Sequence, residues 1–201
     1  MCGRYEYQLK DPLLAQFYRK LSQESAAATG TVYPGQEVAC LGLDPQAKVR
    51  VASMRWGFDG FKKKQLLINA RSESINDKLA FAQAFRYRRC IFPMSAFYEW
   101  SADKTRFLFS ASEVLFVGGC YQVLPQADGL SQAQAVLMTR AADQVVGRVH
   151  QRMPYFIHQE DLRAWLNDWD YASNYQGQAP ELAMQKDSPD RLSHLVTLDL
   201  E

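Results

Sequence analysis

Apolar residues at spacings of three and four follow Asp11-Pro12. Leu13, Leu14, Phe17, Tyr18 and Leu21 share one face of a predicted helix, with Asp11 as its N-cap and Pro12 at its first position. From Ser22 to Gly30 the chain is small and polar, a loop, and Pro34-Gly35 marks the entry to a region where short apolar runs replace the helical period. Strands are predicted over 37–43, 48–56, 66–71, 90–100, 106–111, 114–123 and 134–139, separated by charged or glycine-containing turns. A second helix is predicted over 76–89, with Leu79, Ala82, Phe85 and Arg86 along one side and Arg86, Arg88 and Arg89 decorating its exposed end. A short helix after Thr139, a strand near 154–157, a helix over 159–167 burying Leu162, Trp165 and Leu166, and a last strand over 195–200 complete the pattern. With no internal repeat and no break in composition, residues 1–201 read as one domain. The fold class is α+β: a curved, largely antiparallel sheet or barrel-like core with helices packed outside.

A chain of 201 residues buries roughly 70% of its unfolded surface, enough for a core without staples. Lys and Arg total 23 against 22 Asp and Glu, a net charge of +1, which excludes a protein that grips duplex DNA by being basic all over. Any nucleic-acid site is a local patch. The longest apolar candidate, Val114 to Tyr121, is strand-sized and contains Gly118-Gly119, and no secretory pattern follows Met1, so the expectation is a cytoplasmic protein without a membrane partner. Cys2, Cys40, Cys90 and Cys120 are singly and widely spaced, which argues against a disulfide framework or a metal, and no cofactor is expected.

Candidate chemistry is concentrated in four blocks. If the initiator Met1 is removed, Cys2 carries a free α-amine beside its thiol, with ordinary pKa values near 8 and 8.5, so that two nucleophiles share one residue. Such an aminothiol condenses with an aldehyde to a thiazolidine, or attacks an amide as an N-terminal nucleophile. An inert, buried cysteine fits the same position. On a strand, Asn69 and Arg71 share a face, one able to orient a substrate or the terminal amine and the other to contact a phosphate; a sheet-end hydrogen-bonder and a surface cation fit equally. Glu99 lies among Phe97, Tyr98 and Trp100, and a carboxyl so desolvated has a raised pKa suited to proton transfer, whereas an edge-strand Glu would not. His150 stands between Arg148 and Arg152, a site that attracts anions and can exchange a proton, while His158 and His194 read as structural. Basic residues interleave with aromatics in Arg55-Trp56-Gly57-Phe58 and Phe61-Lys62-Lys63-Lys64, a pattern suited to unpaired bases and also to a core Trp beside a solvated Lys loop.

Together, Met1-Cys2-Gly3-Arg4, Asn69-Ala70-Arg71-Ser72-Glu73, Phe97-Tyr98-Glu99-Trp100 and His150-Gln151-Arg152-Met153-Pro154 resemble the SOS response-associated peptidase (SRAP) family of abasic-site processing proteins, in order and rough spacing. The resemblance implies a sensor that loses Met1 and forms a thiazolidine between Cys2 and the ring-opened abasic sugar of single-stranded DNA, acting as a monomer at damage sites on the bacterial nucleoid. It implies Cys2 as nucleophile, Asn69 as its positioner, Glu99 as acid–base group and His150 as an aid to sugar ring opening. Arg4, Arg71, Arg148 and Arg152 would contact DNA with Trp56, Phe61 and Lys62. A β-elimination lyase side reaction and removal of the residue before Cys2 are also implied. The chain departs from the family in having Thr31 where an Asn opens the Asn-x-x-Pro block, a shorter loop from Phe58 to Lys62, with Phe61 the substitute wedge, and an earlier end after Leu195. Two other readings compete: an N-terminal-nucleophile glutamine amidotransferase, which also begins Met-Cys-Gly but needs a glycine-rich glutamine loop, and a single-strand-binding module in which Cys2 is incidental.

Overall fold

A computed structural model of the chain describes residues 2–21, 27–60, 65–126 and 129–187. In chain order the elements are β1 (Tyr5–Tyr7), α1 (Pro12–Arg19), β2 (Gly30–Val32), β3 (Glu37–Leu43), β4 (Val49–Trp56), β5 (Phe58–Asp59), β6 (Leu66–Leu67), β7 (Asn69–Arg71), α2 (Ala82–Tyr87), β8 (Arg89–Trp100), β9 (Arg106–Pro125), β10 (Ser131–Ala141), β11 (Arg152–Pro154), α3 (Leu162–Asn167), α4 (Trp169–Asn174) and β12 (Ala183–Lys186). Single 3-10 turns occupy Ser72–Ser74, Val146–Arg148 and Gln159–Asp161.

Among the described residues ten strands form one mixed sheet in the order β12-β9-β10-β4-β3-β8-β1-β2, with β7 and β11 also paired to β10. A further pairing of β8 with β9 returns the hydrogen bonds to their start. Two links of this ring are short, Leu41 opposite Ile91 between β3 and β8, and two residue pairs between β10 and β4, so the sheet is strongly curved and not a closed barrel. The sheet is antiparallel except where β10 runs parallel to β4 and to β7.

The long strands are buried on both faces, which is why they read as apolar runs and not as alternation. Cys90, Phe92, Leu115, Val117 and Leu137 face the interior of the curve with Tyr5 and Trp56. Ile91, Phe116, Val136 and Met138 face outward onto Phe85 of α2 and Trp165 of α3. Gly118 and Gly119 permit this two-sided packing. A Cβ on Gly118 would lie 2.8 Å from the Trp165 ring, and one on Gly119 would lie 2.5 Å from the Val136 carbonyl and 2.7 Å from Phe92.

Several expectations need correction. Residues 106–111 and 114–123 belong to one strand, β9. Its pairing with β8 shifts from Met94–Leu115 to Ala96–Ser110, which leaves Ala111 to Val114 without partners on β8 and interrupts the apolar pattern there. The predicted helix over 76–89 shrinks to α2, preceded by turns in which Asp77 and Lys78 both donate to the Ser74 carbonyl, and Leu79 is 97% exposed. Arg89 is no surface residue: buried on β8, it donates to the carbonyls of Phe85 and Arg86 at the end of α2 and of Trp165 and Leu166 in α3. The 159–167 segment divides into a 3-10 turn and α3. Helix α4, capped by Asp168 accepting from Tyr171 N at 3.0 Å, and the short strands β1, β2 and β12 carry no readable period. The last predicted strand, 195–200, lies outside the described residues. Among the described residues, no helix is long and apolar enough to cross a membrane.

The contact geometry at Gly119 makes a direct test. Gly119→Ala forces a methyl against backbone and is expected to destabilise the fold by about 1–3 kcal/mol, read as a lower urea midpoint with an unchanged slope. An unshifted midpoint would show that β9 and β10 are less closely packed there.

Candidate active site

The chain enters the sheet directly from Cys2. Tyr5 pairs with Phe97, and Tyr98 N donates to the Arg4 carbonyl at 3.0 Å, so continuing the register carries Gly3 and Cys2 along β8 toward Glu99. Cys2 is fully buried. Burial pushes its thiol pKa up, and the negative charge of nearby Glu99 pushes it further, against a hydrogen bond with Arg4 backbone. The other three cysteines are likewise free and buried.

Asn69 reaches Cys2 from β7. β7 is held by its parallel pairing to β10, by Leu137 N donating to the Ile68 carbonyl at 3.1 Å, and by the Trp56 indole Nε1 donating to the same oxygen at 3.1 Å. Asn69 Nδ2 then donates to the Cys2 carbonyl at 2.9 Å. Its Oδ1 is buried without a hydrogen-bond donor among the described residues.

Glu99, on the last turn of the pleat in β8, is 1% exposed. Burial raises its carboxyl pKa, opposed by positive charge in its surroundings, His150 included. His150 Nδ1 stands 3.8 Å from Glu99 Oε2. The backbone of His150 is set by the turn before it: Asp143 Oδ1 accepts from Val145 N and Val146 N at 2.8 Å each, and His150 N donates to the Val146 carbonyl at 2.9 Å. Glu99 and His150 border a cleft of about 500 Å³ with Trp100, Ser101, Lys104 and Gln151. A second cleft of about 490 Å³ adjoins it across Ser101 and Ala102, with Arg148 and Lys186 on its rim. A more voluminous hollow, about 970 Å³, lies elsewhere, over Glu6, Thr31, Tyr98 and Arg106. There Glu6 accepts from Thr31 at 2.6 Å and Tyr98 at 2.8 Å and is bonded to Gln8, and neither a cysteine nor a histidine lines the hollow, whereas Glu99 and His150 both border the smaller cleft.

The structure thus gathers Cys2, Asn69, Glu99 and His150 into one neighbourhood. Arg4 is beside it, its guanidinium stacked 4.7 Å from the Tyr33 ring centre, 5.0 Å from Trp100 and 5.8 Å from Tyr98. Arg71 and Arg148 are exposed. Two residues are placed otherwise than expected. Trp56 is completely buried against Tyr5 and Phe92, so it has no face for a base and serves as a core brace for β7. The Arg152 guanidinium is turned into protein, bonded to Glu73 and to the Thr139 carbonyl, and not toward a phosphate. Phe61 and Lys62 lie outside the described residues. Sequence reasoning missed Tyr33 and Trp100 as partners of Arg4, and Lys104 and Lys186 at the cleft rims; the exposed cations had no signal, but the Tyr98-x-Trp100 alternation did mark an aromatic surface.

The model of the family described as SOS response associated peptidase (SRAP) matches residues 1–194. This chain belongs to the SRAP family. Relatives of this SRAP protein include Abasic site processing protein YoqW of Bacillus subtilis (strain 168), 26% identical over 185 residues that cover 83% of this chain and 80% of YoqW. YoaM of the same organism is 26% identical over 193 residues, 87% of this chain and 83% of its own, and YedK of Escherichia coli (strain K12) is 25% identical over 182 residues, 83% and 79%. Among solved structures, a protein from Bordetella bronchiseptica matches with a TM-score of 0.77 at 19% identity, covering 93% of this SRAP chain and all of that one. A protein from Bacteroides thetaiotaomicron matches with a TM-score of 0.76 at 18%, covering 96% and 94%. Both show the SRAP fold; they carry nothing about chemistry.

Burial of Glu99 has a consequence for stability. A carboxyl whose folded pKa exceeds its unfolded value of about 4.3 stabilises the fold below that pH, and the contribution is lost as pH rises through the folded value. Glu99→Gln removes the titration, so its melting temperature relative to the parent chain is expected to rise between pH 4 and pH 7 in calorimetry. A pH-independent difference would contradict a desolvated carboxyl.

Proposed function

We propose that this protein processes abasic sites in single-stranded DNA by capturing them covalently at Cys2 once residue 1 has been removed. The observation that carries the reading is the meeting of Cys2 with a buried proton-transfer group: its carbonyl is held by Asn69 at 2.9 Å, and its thiol lies in the field of Glu99, behind which His150 stands at 3.8 Å. The names of the relatives, abasic site processing proteins, support the substrate. Residue 1 must leave because, while it is attached, the Cys2 nitrogen is an amide and not an amine. The family description as a peptidase fits removal of that residue at this same site.

The abasic sugar exists as a ring-closed hemiacetal and an open C1′ aldehyde. His150, partly exposed at the cleft, donates a proton to the ring oxygen and takes back the proton that the C1′ hydroxyl releases as the aldehyde forms, so that it promotes opening and ends as it began. The neutral Cys2 amine attacks C1′, and Glu99 carries a proton from nitrogen to the new alkoxide, giving a carbinolamine. Protonated Glu99, favoured by its burial, then gives its proton to the hydroxyl, which departs as water and leaves an iminium. Finally Glu99 takes the thiol proton as sulfur adds to C1′, closing the thiazolidine. Aldehyde and aminothiol become thiazolidine and one water, and Glu99 ends as it began. The iminium also acidifies C2′, which accounts for a minor β-elimination. Arg4, clamped by its aromatic rings, and the exposed Arg71 and Arg148 take the flanking phosphates. The substrate places the activity in the compartment that holds the DNA, and one chain contains the whole constellation.

Protein beginning at Cys2, mixed with a single-stranded oligonucleotide bearing one abasic site, is expected to show an intact mass equal to the sum of the two less one water. Cys2→Ala and a chain that keeps Met1 are each expected to give no such adduct. A full-strength adduct from Cys2→Ala would overturn the assignment, and reversible binding unchanged by loss of the thiol would leave a binding module. Glu99→Gln is expected to slow single-turnover adduct formation by roughly 10²-fold or more with DNA affinity retained; an unaltered rate would remove Glu99 from the proton transfers.

A further inference from the structure

We propose that Glu73 is a positioning residue that fixes the orientation and tautomer of His150 through Arg152. The chain of contacts begins at the imidazole. Arg152 N lies 3.0 Å from His150 Nδ1, and a backbone N–H can only donate, so in the neutral ring Nδ1 is the bare acceptor and the proton sits on Nε2. When the ring takes a second proton at Nδ1, the Arg152 carbonyl at 3.1 Å and Glu99 Oε2 at 3.8 Å are there to accept from it. One residue therefore offers Nδ1 a donor when it is bare and an acceptor when it carries a proton.

That service depends on where the Arg152 backbone is held. β11 is only three residues long, and Arg152 is its first, paired with Ala141 at the end of β10. A strand end of this length frays unless tied down. Beside the backbone bond from Ala142 N to the Gln151 carbonyl at 3.0 Å, the Arg152 side chain ties it down, donating from two guanidinium nitrogens to the two oxygens of Glu73 at 2.6 and 2.8 Å and to the Thr139 carbonyl at 2.7 Å. Glu73 also accepts from Ala141 N at 3.2 Å. These bonds, with Arg152 first among the causes, hold the Glu73 carboxyl down to about 2, so it is charged throughout the neutral range. Glu73 follows Asn69 by four residues in the same short segment. Its carboxylate thus joins the strand that grips Cys2 to the strand that grips His150, the two walls of the site. The Glu73 side chain is half exposed, so the pair contributes little to global stability. Its effect is geometric.

The tautomer assignment stands independently of substrate, whereas the kinetic consequence rests on the function proposed above, and the test separates them. The full chain carries three histidines, so a long-range 1H–15N spectrum of its imidazoles is simple, and His150→Gln identifies the His150 signals. In the parent protein, once the pH is high enough that the imidazoles are neutral, His150 is expected to show an unprotonated Nδ1 and a protonated Nε2. In Glu73→Ala the two nitrogen shifts are expected to move toward each other as both tautomers become populated, and single-turnover adduct formation to fall between about tenfold and 10²-fold. Glu73→Gln, which retains one acceptor for Arg152, is expected to fall between and serves as the test if the alanine variant does not fold. Folded variants with His150 shifts identical to the parent would overturn the proposal. A shift in tautomer in a protein that makes no abasic adduct would uphold the positioning role and refute the proposed function.

Discussion

An almost wholly buried carboxyl group is the constraint around which this site is arranged. β8 is covered on both faces, and an isolated carboxylate in such a place would cost several kcal/mol. Two responses are visible: the pKa of Glu99 rises, and positive charge gathers at its edge, His150 within 3.8 Å among it. The same burial acts in the same sense on Cys2, whose thiol is held protonated. Two acidic groups that would both be, or begin to be, ionised in water thus lie near one another, each pushed by burial toward keeping its proton. The chemistry that suits such a pair is one in which protons are handed over stepwise as a carbonyl is converted, and not one that needs a standing thiolate.

Much of the fold was legible because two-sided burial leaves a coarse signal. Residues 37–43 were predicted as a strand and form β3, and 90–100 differs from β8 by one residue, both being apolar runs long enough to stand out. What failed had a local physical reason. The 76–89 helix was inferred from a period in which Leu79 counted as core, whereas Asn76 and Asp77 lie in a turn that leaves Leu79 in solvent. The interruption at 112–113 marks a change of partner register, which pattern alone cannot distinguish from a loop. Strands of three or four residues such as β1 and β12 exist only because a neighbour receives them.

At the site, the four reactive residue types could be named from the sequence, and the pattern of blocks gave them their roles. Their mutual geometry could not be read, because it arises from pairings between distant segments: β1 laid on β8, and β7 running parallel to β10. The same distance hid Arg152, which stands 79 residues from Glu73 and looked like one more free cation beside His150. Trp56 was misjudged for the converse reason. A Trp beside an Arg and a Gly suggests a stacking surface, but its indole N–H serves the Ile68 carbonyl inside the core, and only indirectly, through β7, does it bear on the site.

Arg89 has a bearing on how the molecule moves. Helices of six residues have almost no tendency to persist alone, yet α2 and α3 both end on carbonyls to which a single guanidinium, planted in the middle layer, donates at once. The outer layer is thereby keyed to the sheet at one point, like two shutters on a common latch. Fluctuations that open one helix must release the other, so amide exchange across residues 82–87 and 162–167 should share one opening event, while the wall that carries Glu99, on the far end of the same strand, stays undisturbed.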